Sequence, residues 1–145
     1  MERKRYFIRA GAGLILSLVV AAPFVRQPMA REERNFLREE MEALDSAYKA
    51  VIDALVLGDM NLINPELIKV QDARERLKEA EKNGYRISLS KNQKRLEDFF
   101  SLDRQFHIDL EELSSAAQTG QKKVVRNLAH RLLDACVACH ERFRK

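Results

Sequence analysis

The 145 residues leave room for one domain, and a chain that is 33% charged, with five Gly, three Pro and no Trp, suits helices. The formal net charge of +4 comes from the first thirty residues, where Arg3, Lys4, Arg5, Arg9 and Arg26 outnumber Glu2; the other 21 basic and 21 acidic residues balance. A neutral body gives no argument for nucleic acid, and no phosphate loop, Walker or Rossmann motif or nucleophile–base pair marks an enzyme.

The chain begins with a positive stretch, Met1–Arg9, followed by an uncharged run from Ala10 to Val25 that contains Leu14-Ile15-Leu16-Ser17-Leu18-Val19-Val20. That is the layout of an export signal. As a helix its 16 residues would span about 24 Å, short of a hydrocarbon core of roughly 30 Å. Cleavage after Ala30 is expected, although Pro28 then stands at −3; the rival is a retained N-terminal anchor, the one route to membrane attachment. Either way residues 31–145 form a domain placed outside the cytoplasmic membrane, in a periplasm-type compartment.

Four helical patterns follow. The first runs from about Glu32 to Leu57, with Leu37, Met41, Leu44, Tyr48, Val51 and Leu55 stepping by four and three along one seam, and ends at Gly58-Asp59. The second is expected to start with Asn64 as N-cap and Pro65 at the first helical position, to carry Leu67, Val70, Ala73, Leu77 and Ala80 inward, and to stop at Asn83-Gly84. Tyr85 to Lys91 alternates, but seven isolated residues cannot make a sheet; a strap packed on the helices is expected. The third runs from about Asn92 to Gln118 with Leu96, Phe99, Phe100, Phe106, Leu110, Leu113 and Ala117 inward, and turns at Thr119-Gly120. The fourth carries Val124, Val125, Leu128, Leu132 and Leu133 inward and ends in Phe143-Arg144-Lys145. Short connections between amphipathic helices give an all-α, up-down-up-down four-helix bundle. The carboxylate-rich stretches Glu39-Glu40-x-Glu42 and Glu111-Glu112 read as solvated faces.

Near the end of the fourth pattern stands Cys136-Val137-Ala138-Cys139-His140, the Cys-x-x-Cys-His attachment signature of a c-type haem. On a helix residues three and four apart share a face, so two thiols able to form thioethers and an imidazole able to bind iron reach one macrocycle. Two other chemistries compete. A redox dithiol needs its cysteine at a helix N-terminus, whereas this pair lies in the last turns, where the dipole opposes thiolate. A structural zinc needs four ligands, and His130, ten residues before His140, sits about 15 Å away along the helix.

With Cys136-x-x-Cys139-His140-x-x-Phe143-Arg144 at the end of a fourth helix and the Gly120 turn one helix upstream, residues 31–145 resemble class II cytochromes c, the cytochrome c prime family and its low-spin relatives. The resemblance implies one covalent haem c per chain, held by Cys136 and Cys139, with His140 as proximal iron ligand and Arg144 near a propionate. It also implies redox partner proteins, and it leaves open a homodimer through the first two helices. In that family the sixth iron position faces the first helix. Met41, on the inward seam about 15 Å along an antiparallel helix, falls level with Cys136 and is the candidate sixth ligand; His107 is the alternative. A ligating Met41 makes an electron carrier rather than an enzyme, and a non-ligating residue there makes a five-coordinate binder of NO or CO. His130, Met29 and Met60 carry no assigned role.

Overall fold

The computed structural model describes residues 34–145, so the export segment and its cleavage site lie outside the described residues. Helix α1, Phe36–Leu57, starts where the Asn35 side chain accepts the Arg38 backbone N–H at 3.0 Å. Arg34 and Asn35 are not helical, so the start lies later than the apolar pattern suggests. It stops at Gly58, whose φ of 79° suits a residue without Cβ. The deepest line of α1 is not the expected seam. Ala47, Val51 and Ala54 are buried together with Glu40, while Leu37, Met41, Leu44, Tyr48 and Leu55 are half-buried beside them. Small alanines let neighbouring backbones approach, which draws that face inward and turns the larger side chains to its flank.

Helix α2, Ile63–Lys82, is entered through a 3-10 turn, Met60–Leu62, whose first residues are capped by the Asp59 carboxylate accepting the Asn61 N–H at 3.1 Å. Asn64 is therefore not the N-cap. Burial of Met60 and Ile63 pulls the start forward, and the Asn64 side chain instead accepts a hydrogen bond from Ser114 Oγ at 2.8 Å. Val70, Ala73 and Leu77 form the buried stripe as expected.

The strap after α2 forms no strand. Tyr85 meets Phe36 edge-on at 5.2 Å, Ile87 is buried, and Gln93 fastens the loop by accepting the Leu89 N–H at 2.6 Å and donating to the Ile87 carbonyl at 3.0 Å. Helix α3, Leu96–Gln118, begins four residues later than expected because Asn92 adopts φ 54° and a 3-10 turn, Gln93–Arg95, intervenes. Helix α4, Lys122–Phe143, buries Val125, Leu128, Ala129, Leu132 and Phe143. Leu133, expected inward, is 43% exposed, one step of about 100° around the helix from buried Leu132.

α1 packs chiefly on α2, and α3 on α4. Two apolar clusters fix the alternating directions. At one end Val51, Ala54, Ile63, Leu113, Val125 and Leu132 meet; at the other Leu77, Phe99 and Phe143 meet with Phe36, Leu37, Phe100 and Cys139. The start of α1 thus lies with the end of α2, the start of α3 and the end of α4, which is the up-down-up-down four-helix bundle. Burying Ile63, Leu113, Val125 and Leu132 almost completely contributes about 1.5–3 kcal/mol each.

Candidate functional site

Between the two clusters the bundle interior divides into a cavity on one side and a polar network on the other. The division runs through adjacent residues. On α1, Met41 lines the cavity and Glu40 joins the network; on α3, Phe106 lines the cavity and His107 joins the network.

The cavity, about 220 Å³, is walled by Met41, Leu44, Asp45, Ala47, Tyr48 and Val51 of α1, Leu67 of α2, Phe106 and Leu110 of α3, and Leu132, Leu133, Cys136 and His140 of α4. Met41 and the Cys136–His140 turn therefore face one space, as the antiparallel level comparison expects. Tyr48 is fixed there by donating its hydroxyl to the Ala129 carbonyl at 3.1 Å. Cys139 does not line this cavity; it packs against the aromatic cluster of Phe99 and Phe143, whose rings meet edge-on at 5.6 Å. The two sulfurs thus flank the turn, one at the cavity and one at the end cluster.

Burial pushes both thiols above the ordinary cysteine range, with Cys139 adding to the effect on Cys136, and Asp103 to that on Cys139. A thiol held protonated is a poor attacking group for disulfide exchange, which argues against a redox dithiol. His140 is pushed the other way: burial and the Arg144 guanidinium lower its pKa and favour the neutral imidazole that a metal requires.

These residues fit a haem in chemistry. The Cys136 thiol, an imidazole and a thioether line a mostly apolar space that Asp45 and Tyr48 also border, and Cys139 lies one turn away against the end cluster. The cavity is smaller than the roughly 300–1,000 Å³ of ordinary ligand pockets, but Leu133 at its rim and Val137 one turn on are 43% and 50% exposed, apolar surface that a flat hydrophobic group would cover. Arg144 follows the helix in extended conformation, its N–H bonded to the His140 carbonyl at 2.9 Å. The strap reaches the same turn: Asn92 Nδ2 donates to the Arg142 carbonyl at 2.7 Å and the Lys91 N–H to the Phe143 carbonyl at 3.0 Å.

The polar network corrects the view of Glu39-Glu40-x-Glu42 as a solvated face. Glu40 is 1% exposed, and its Oε1 lies 2.9 Å from His107 Nε2, itself 5% exposed. Asp103 Oδ1 lies 3.5 Å from the same nitrogen, and Arg74 of α2 reaches Asp103 at 3.6 Å. Glu39 and Glu42 stay near the surface, paired with Arg34 and Arg38. Burial alone would lower the His107 pKa, but hydrogen bonds to Asp103 and Glu40 outweigh it and raise the value above 6.5. The ligand atoms of Glu40, Asp103 and His107 converge within 4.8 Å of one another, and the Arg74 guanidinium stands beside Asp103 as a fixed cation. Glu40, Ala47 and Ala54 repeat every seven residues and Asp103 and His107 stand four apart, but neither spacing on its own names the partner across the bundle. His107 does not line the cavity with Cys136 and His140, and His130 is exposed. No family model, no curated protein and no solved structure matches this chain.

Proposed function

We propose that this chain is a monohaem c-type cytochrome that carries electrons outside the cytoplasmic membrane. The observation that carries the reading is the Cys136-x-x-Cys139-His140 turn of α4 with Met41 of α1 on the same apolar cavity. Cys136 and Cys139 would hold the haem through thioethers, and His140 and Met41 would offer an imidazole and a soft thioether to its iron. When bound, the group supplies a one-electron ferric–ferrous couple whose potential follows from its axial ligands and burial. Tyr48, Phe106 and Leu132 would shield the group from water, and Arg144, beside the His140 turn, would meet a propionate. Met41 is favoured over His107 as sixth ligand because the His107 Nε2 is engaged by Glu40 and faces away from the cavity.

Acid–acetone extraction of the protein from its native host decides the first step. The colour should stay with the polypeptide and its mass should exceed that of the chain by one haem; complete transfer of colour to the solvent refutes covalent attachment. The ferrous spectrum decides the second. A low-spin spectrum with no rapid CO uptake supports the electron carrier, whereas a high-spin spectrum with ready CO uptake makes the protein a five-coordinate gas binder.

A further inference from the structure

We propose that the buried Glu40–His107 pair is a positioning device that sets the rotation of α1 and α3, so that Met41 and Phe106 project into the cavity. The inference rests on the sixth-ligand role of Met41 argued above and assigns the residues that enforce it.

α1 packs chiefly on α2 and then α4, and α3 on α4 and then α2, so the 2.9 Å contact between Glu40 and His107 links α1 to α3 through the bundle interior. Each partner is the immediate neighbour of a cavity residue: Glu40 precedes Met41, and His107 follows Phe106. Adjacent helical residues point about 100° apart. Holding Glu40 on His107 therefore fixes where Met41 points, and the same bond fixes Phe106. Hydrophobic packing alone would not hold this rotation. Met41, Leu44 and Tyr48 are only half-buried, and the seam they form could roll toward the core if Glu40 were apolar. A buried hydrogen-bonded pair tolerates fewer geometries than an apolar interface, because a lost bond leaves a desolvated polar group without a partner. Asp103 at 3.5 Å and Arg74 beyond it fix the imidazole in turn, so the constraint extends from α2 to α1.

The test uses the full-length haem-loaded protein carrying Glu40→Leu, His107→Leu, Glu40→Gln or Glu40→Asp. Haem attachment, read as mass, should be unchanged in all four. Glu40→Leu and His107→Leu should lose the low-spin ferrous spectrum and take up CO. Glu40→Gln, which still accepts from the imidazole N–H, should keep the low-spin spectrum. Glu40→Asp, one methylene short, should give a mixture. A purely stabilising role would lower the unfolding midpoint and leave the spectrum of the folded protein untouched. Folded Glu40→Leu and His107→Leu proteins with wild-type spectra and no CO uptake overturn the inference. If the leucine variants do not fold, Glu40→Asp decides, and a wild-type spectrum there overturns it. A wild-type protein that is itself high-spin removes Met41 as a ligand, and positioning is then read from peroxide sulfoxidation of Met41 by peptide mass. That rate should rise several-fold in Glu40→Leu or Glu40→Asp if the pair orients Met41; an unchanged rate overturns the inference independently of the haem assignment.

Discussion

Glu40 is a carboxylic side chain at 1% exposure, and a carboxylate placed so costs several kcal/mol unless its charge is answered. The answer is His107, whose pKa is raised by Asp103 and Glu40 against the effect of burial. Because the folded-state value lies above the ordinary 6.5, the stabilisation is fully present below about pH 6.5 and is lost as pH rises through the folded value. The denaturant midpoint should therefore fall as the pH rises above about 6.5, and His107→Gln should flatten that slope; a midpoint equally pH-dependent in the variant would contradict this. Met41 is the other residue whose neighbourhood decides its role. With Met41→Ala a low-spin ferrous spectrum should become high-spin, a CO site should open, and the potential should fall because a thioether favours the ferrous state. If that variant leaves the spectrum unchanged while His107→Ala converts it, His107 is the ligand.

At the scale of elements, the strap between α2 and α3 links the fold to the site. Tyr85 and Ile87 pack on the end cluster that also holds Phe143 and Cys139, while Asn92 and Lys91 satisfy carbonyls at the end of α4. The last carbonyls of any helix lack intrahelical partners, and here the strap supplies donors for two of them beside the Cys139–His140 turn. Gln93 keeps the strap in shape through two backbone hydrogen bonds. Gln93→Ala should cost about 1–2 kcal/mol in chemical denaturation and should raise amide exchange over residues 85–91 and at the end of α4. Unchanged exchange at α4 would mean that the strap is decoration rather than a clamp.

For the whole molecule, the up-down-up-down order brings the start of α1 beside the end of α4, and this puts Met41 and His140, nearly a hundred positions apart, on one cavity. The proposed chemistry has a consequence for location, since the export signal expected from the charge layout of residues 1–30 would carry the domain outside the cytoplasmic membrane. A fusion of residues 1–30 to a reporter active only outside the cytoplasm should be active. A haem-free protein recovered from the cytoplasm of the native host would contradict that placement.

Four helices, their direction of travel and the Cys136-x-x-Cys139-His140 turn were legible in the sequence because each rests on local information: apolar spacing, glycine stops and a contiguous motif. The level of Met41 against Cys136 was legible too, since antiparallel packing and the rise per residue set it. The helix starts were misread at Asn64, where burial of Met60 and Ile63 overrode its capping preference, and at Asn92, whose αL conformation delays the third helix. Rotation about the helix axes was not legible. Whether Glu40 or its neighbours faced inward depended on His107, 67 positions away, and no single-helix pattern contains that partner. Tertiary packing decided that the middle of the bundle is half cavity and half ion network, because a buried charge is tolerated only where its counter-charge arrives from another helix.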